Sequence, residues 1–246
     1  MVSFDTVGNI VIFSKEFKGI NKKAKELLKL KNIETVAVKT KIHSGTYRTK
    51  KVKILAGKRK KETIHKENNV QVKLNVETCY FSPRLSNERL RIAKEIKKDE
   101  VVLVMGSGVG IFPIVFSKNS KAKEIYGIEI NPKAHNYALA NLKLNKIKNI
   151  KLLKGDVKKI LPKIRKKFDR IAMPMPSNSE EFLEIAKKKL KKDGIIHFYD
   201  FEKNEDISSK SLEKIKSKIE KFKVLIIVKC GSYGPGRFRV CVDLKI

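Results

Sequence analysis

The chain is short of several things at once. It has no tryptophan, three cysteines and four histidines in 246 residues. Cys79, Cys230 and Cys241 are scattered without a CxxC pair, and His43, His65, His135 and His197 form no HExxH. Neither pattern offers the spacing of a structural metal site, so no metal is expected. No apolar run approaches the ~20 residues that span a membrane. The opening MVSFDTVGNIVIF alternates like a strand and lacks a charged block followed by an apolar one. A cytoplasmic protein without membrane segments is the expectation. Internal repeats and linkers rich in Pro, Gly or Ser are also missing. The largest deficit is in acid: 26 Asp and Glu stand against 57 Lys and Arg, a formal net charge of +31. Adaptation to heat enriches Lys and Glu together and leaves the imbalance unexplained. A polyanionic partner explains it, because each phosphate neutralised releases counterions and adds affinity. Nucleic acid is the expected partner.

Two patterns of elements follow one another. Residues 1 to about 80 read as short strands (GNIVIF, IETVAVKT, KVKILAG, VQVKLNV) around one helix, INKKAKELLKL. From about residue 85 helices and strands alternate. Helix SNERLRIAKEI, strand VVLVM, helix IFPIVFSKN, strand EIYGIEI and helix PKAHNYALANLKLN lead into strand IKLLKGD. A basic helix near VKKILPKIRKK, strand FDRIAMPMP, helix SEEFLEIAKKKL, strand GIIHFYDF and a helix near SSKSLEKIKSKIEKF come next. Strands VLIIVKC and RFRVCVDL, joined through GSYGPG, close the chain as an antiparallel edge hairpin. This rhythm predicts an α/β, doubly wound, mostly parallel sheet. With its closing hairpin, this half resembles the Rossmann-like class I S-adenosylmethionine-dependent methyltransferases. The predicted division is 1–80, a small α+β domain, and 81–246, the Rossmann-like domain.

Gly106, Gly108 and Gly110 form a GxGxG loop after strand VVLVM, and Ile111 stands where a dinucleotide loop would bring its third glycine. Glu129 ends the next strand, where both oxygens of a carboxylate can accept from ribose hydroxyls. Asn131-Pro132 would cap the following helix. Asp156, after IKLLKG, stands where a carboxylate accepts from an adenine amine, or else caps a helix. Pro174 and Pro176 in MPMPSNSEEF stiffen the segment after the fourth strand, which either presents carbonyls to a substrate nitrogen or merely precedes a helix cap. CYFSPRLSNERLRIA places Tyr80, Arg84, Glu88, Arg89 and Arg91 beside the cleft. Glu88 among arginines is either a base tuned by its pocket or part of a solvated i,i+3 ladder.

YFSPRLSNERLRIA, GTYRTKKVKILAGKRKKETIHKEN, FDRIAMPMPSNSEEFLEIA and GIIHFYDF resemble one family. It is the archaeal and eukaryotic tRNA (guanine-37-N1)-methyltransferases, with their wybutosine-pathway relatives. The resemblance runs from about Phe4 to the C-terminus. It implies an RNA-contacting first domain, S-adenosyl-L-methionine as cofactor, and tRNA, at its anticodon stem-loop, as partner of a monomer. It implies Glu88 as the general base that removes the N1 proton and Arg48 as the cation that stabilises charge at O6. Tyr80 matches an active-site aromatic, Glu129 and Asn131 match a cofactor-contacting Asp-x-Asn, and Arg84 and Arg89 would meet the RNA. Three departures stand out. Val104 replaces the acid of the motif strand, Pro174 replaces the Asn of Asn-Leu-Pro, and the chain leaves no room for the family's extra N-terminal domain. The intact SPRLxxER motif favours methyl transfer over the aminocarboxypropyl transfer of the short wybutosine enzymes; a non-catalytic tRNA-binding paralogue is the third reading.

Overall fold

A computed structural model describes residues 3–40, 45–177, 179–206, 209–234 and 236–246; His43 lies outside them. The N-terminal alternation breaks into two strands, β1 (Phe4–Val7) and β2 (Ile10–Phe13), at Gly8. Gly8 has φ +56°, and a Cβ there would lie 2.1 Å from Thr63 Oγ1, so no side chain fits. Helix α1 (Ile20–Leu27) carries the chain over to β3 (Thr35–Lys39), parallel to β2, and β4 (Val52–Gly57) returns antiparallel. These four strands form one sheet in the order β1-β2-β3-β4.

A hairpin of β5 (Glu62–Glu67) and β6 (Val70–Asn75) follows. The charged ETIHKE stretch of β5 gave no sequence signal for a strand. After it come α2 (Ser86–Glu95), β7 (Val101–Met105), α3 (Ile111–Asn119), β8 (Glu124–Glu129), α4 (Pro132–Leu144) and β9 (Ile150–Lys154). The chain then runs through α5 (Val157–Ile160), β10 (Phe168–Met173), α6 (Leu183–Lys189), β11 (Leu190–Lys203) and α7 (Ser209–Lys216). It ends in β12 (Lys223–Gly234) and β13 (Arg237–Lys245). The basic helix expected over VKKILPKIRKK shrinks to α5 and a 3₁₀ turn at Leu161–Lys163, since Pro162 has no N–H to continue it.

The large sheet has the order β12-β13-β11-β10-β7-β8-β9, with β11 to β9 parallel and β13 antiparallel to both of its neighbours. The α/β, mostly parallel architecture with an antiparallel C-terminal hairpin is therefore present. Strand order reverses between β7 and β10, which opens a crevice at their carboxyl ends. Alternate residues of β7 serve opposite cores. Val102 and Val104 face the one built on α2, α3 and β6, while Leu103 and Met105 face the other. Val104, where the family's acid is missing, is fully buried.

Helix α4 holds the β5–β6 hairpin with side chains that replace a neighbouring strand. Asn141 accepts from the Lys73 N–H at 2.8 Å and donates to the Lys73 and Val109 carbonyls, both at 3.0 Å. One turn on, Asn145 accepts from the Gln71 N–H at 2.9 Å and donates to its carbonyl at 2.6 Å. Asn141→Ala strands these backbone groups. It should cost about 2–4 kcal/mol in urea unfolding with an unchanged m value.

Lys50, just ahead of β4, is buried at 7% exposure. Burial, helped by Lys39 and opposed by Asp5, pulls its ammonium down to about 8 from the usual 10.5. Below pH 8 both folded and unfolded chains carry this proton. From about 8 to 10.5 only the unfolded chain binds it, so stability rises with pH in that window. Stability compared with Lys50→Met from pH 7 to 11 should show the variant ahead at pH 7 by on the order of 2–3 kcal/mol, the difference closing by pH 10.5.

Candidate active site

The glycine loop leaves β7 with three residues in the left-handed region, Gly106 (φ +70°), Gly108 (φ +57°) and Gly110 (φ +85°). The N–H groups of Gly106 and Ser107 donate to the Ile128 carbonyl at 2.9 and 3.0 Å. Glu129 supplies the anchor that Val104 cannot. Its carboxylate accepts from the Gly108 N–H and the Asn131 N–H, both at 2.7 Å, at 8% exposure. Burial pushes the Glu129 carboxyl up, against the pull of the Asn131, Gly108 and Ile130 N–H groups.

Asn131 caps α4 through Oδ1, accepting from Lys133 and Ala134, and its Nδ2 donates to the Thr78 carbonyl at 2.8 Å. The segment carrying Tyr80 is thereby moored beside the loop. A Cβ built on Gly108 would lie 3.8 Å from the Tyr80 carbonyl oxygen. The far end of Tyr80 meets two cations: the Arg48 guanidinium lies 5.2 Å from its ring centroid, and Arg239 Nη2 donates to its hydroxyl at 2.6 Å. Arg48 sits at φ +49° in a turn closed onto the Gly45 carbonyl, a conformation uncommon for a side chain of this size.

Glu88 is no solvated ladder. It is 4% exposed, forked by Arg91 (Nε and Nη2, both 2.8 Å) and reached by the Tyr199 hydroxyl at 2.9 Å. Behind Arg91 stands Asp243 at 2.6 Å, then His197 Nδ1, 2.6 Å from Asp243, and then Arg170 Nη1, 2.8 Å from His197 Nε2. Burial opposes the charge on Arg91, but Glu88 and Asp243 outweigh it and raise the guanidinium. His197, Arg91 and their hydrogen bonds likewise hold the Asp243 carboxyl well below the usual range against its burial. The ligand atoms of His197, Cys241 and Asp243 lie within 4.8 Å of one another. With Arg91 and Arg170 in contact, the cluster is an ion-pair network and ill suited to a cation.

Other expected residues go elsewhere. Arg89 is corrected outright. It is 1% exposed and forks onto Glu67 at 2.5 and 2.6 Å, between Phe81 and Phe112, so it ties the hairpin to α2 and cannot reach RNA. Arg84 is exposed and spans from Asp5 of β1, at 2.6 Å, to the Ser232 carbonyl of β12. Asp156 caps α5 by accepting from the Lys158 N–H at 2.8 Å. Pro174 and Pro176 flank Met175, whose side chain occupies the space a Cβ on Gly106 would need. Tyr199, Arg239, His197 and Asp243 escaped sequence reading, since only the pairing of β11 with β13 brings them together.

A family model described as the TRM5/TYW2 methyltransferase domain matches residues 63–227. The chain belongs to that family. It is 37% identical to the tRNA (guanine(37)-N(1))-methyltransferase Trm5b of Pyrococcus abyssi, over 99% of this chain and 74% of that protein. The crystal structure of that Trm5b superposes with a TM-score of 0.88 at 36% identity, covering 99% of this chain and 74% of that one. The tRNA 4-demethylwyosine(37)-methyltransferase Taw21 of Saccharolobus solfataricus is 32% identical, over 98% of this chain and 92% of its own. A Methanocaldococcus jannaschii tRNA(Phe) (4-demethylwyosine(37)-C(7)) aminocarboxypropyltransferase is 32% identical, over 99% and 98%.

Replacing Arg91 by Met would leave Glu88 a buried carboxylate held by the Tyr199 hydroxyl and would take the guanidinium from Asp243, which keeps His197. Urea unfolding at pH 7 should show a loss of about 3–5 kcal/mol. The loss should shrink as pH falls and the two carboxylates take up protons.

Proposed function

We propose that this protein is an S-adenosylmethionine-dependent tRNA methyltransferase acting on N1 of guanosine 37. The observation that carries the reading is Tyr80, which joins two halves of one site. Its backbone lies against the glycine loop held by Glu129, and its ring and hydroxyl meet Arg48 and Arg239.

The residues present fit the cofactor. Gly108 brings a side-chain-free backbone to the crevice, and the Glu129 carboxylate, which accepts from the Gly108, Asn131 and Ile130 N–H groups, keeps one acceptor position for a ribose hydroxyl. Bound, the cofactor supplies an electrophilic methyl group. The chain's own residues must then make N1 nucleophilic. Neutral guanine carries a proton there, and its removal shifts negative charge to O6. Glu88 is assigned to accept that proton, with Arg91 and Tyr199 fixing its carboxylate in one orientation. Arg48 is assigned to face O6. The net charge of +31 suits a polyanion such as the anticodon stem-loop.

Aminocarboxypropyl transfer at the same nucleotide is the second reading, favoured by the 32% identity to a relative with that activity over 98% of its length. The non-catalytic reading loses its main motive, because Glu129 organises the loop that Val104 cannot.

Glu88→Gln should leave the affinities for S-adenosylhomocysteine and tRNA within about twofold and lower turnover at least about tenfold. Single-turnover kinetics alongside calorimetry checks both. Full activity in this variant would remove Glu88 from the mechanism.

A further inference from the structure

Three rungs cross the sheet face between β11 and β13, pairing His197 with Asp243, Tyr199 with Cys241 and Phe201 with Arg239. The first is the ion-pair network, and the second touches Glu88 and Arg91. The third stands at the carboxyl end of β11, and its Arg239 is anomalous. This guanidinium is 7% exposed, yet it has no carboxylate partner among the described residues, and its buried Nε has no hydrogen-bond partner. Its side chain meets the Tyr80 hydroxyl at 2.6 Å and the Phe201 ring, 5.1 Å from the guanidinium carbon. Cys230 does not supply the missing charge. Burial and nearby Glu88 push its thiol up to about 12, so it stays protonated. A buried cation with an idle donor is costly unless a ligand completes it.

We propose that Arg239 binds the carbonyl oxygen of the target purine, as a second donor beside Arg48 to the oxygen that gains charge when N1 loses its proton. Nε and Nη2 lie on one edge of the guanidinium, and Nη2 already fixes that edge against Tyr80. Arg48 lies over the same two rings, 5.2 Å from Tyr80 and 5.9 Å from Phe201, so two cations converge on this mouth. Adjacent rungs on one face are about 7 Å apart. Glu88 meets the Tyr199 rung and Arg239 belongs to the next one, so the assignment gives N1 to the first group and the carbonyl oxygen to the second. The glycine loop meets the backbone of Tyr80, whereas Arg239 meets the hydroxyl at the far end of its side chain.

This inference rests on the tRNA reading, and the test separates the two. Binding of an anticodon stem-loop with guanosine at position 37, and of the same RNA abasic there, is measured with S-adenosylhomocysteine bound. The wild type should prefer the guanosine form by about tenfold, the usual scale for a charged hydrogen bond. Arg239→Met should bind both RNAs equally while holding S-adenosylhomocysteine within about twofold of wild type, which also reports its folding. Arg239→Lys, which keeps the charge without the fork, should recover part of the preference and serves if the Met variant does not fold. Preference retained in Arg239→Met overturns this assignment alone. A loss of S-adenosylhomocysteine affinity with the preference intact overturns it by placing an anion of the cofactor at Arg239. A wild type indifferent to the base at position 37 overturns both this assignment and the tRNA reading.

Discussion

The site depends on one buried carboxylate. Glu129 sits where β8 ends and holds the glycine loop through Gly108 and the start of α4 through Asn131. Asn131 in turn holds the chain at Thr78, two residues before Tyr80. Loop, helix cap and linker therefore share one origin. Desolvation makes ionisation of this group expensive, and the backbone N–H groups around it offset that cost. A charge that costs this much to bury is poorly placed as a surface decoration and well placed as a keystone.

A second buried network organises the other end of the cleft. From Arg170 through His197, Asp243 and Arg91 to Glu88, a chain of hydrogen bonds runs from the sheet interior towards the crevice. Such chains fix geometry more than they stabilise the fold, because desolvation consumes much of their Coulombic gain. Here the geometry fixed is the direction of the Glu88 carboxylate. Arg239, one rung along the same sheet face from Tyr199, donates to the Tyr80 hydroxyl.

Much of this was legible in the sequence where function lies in contiguous segments. The glycine loop, Glu129 and the Asn131 cap follow from strand-turn-helix patterns, and the SPRLSNER stretch carried the family resemblance. Parts that arise from register were not legible. Nothing in GIIHFYDF or RFRVCVDL announces that Tyr199 faces Glu88 or that Arg239 faces Tyr80, because that depends on β13 pairing antiparallel with β11 at a particular offset. Arg89 shows the converse hazard. Its neighbours in sequence suggested a surface cation, while α2 turns it inward to Glu67. The ETIHKE strand escaped because its stability comes from β6 and from the asparagines of α4 on the next strand, not from local propensity.

The central claim is methyl transfer to N1 of guanosine 37. Its most direct test is incubation of the purified protein with unmodified tRNA and methyl-labelled S-adenosylmethionine, followed by chromatography of the digested nucleosides. The account predicts label in N1-methylguanosine and its absence when position 37 is changed to a pyrimidine. A modified base at position 37 that carries no methyl label, or no modification at all, would contradict it.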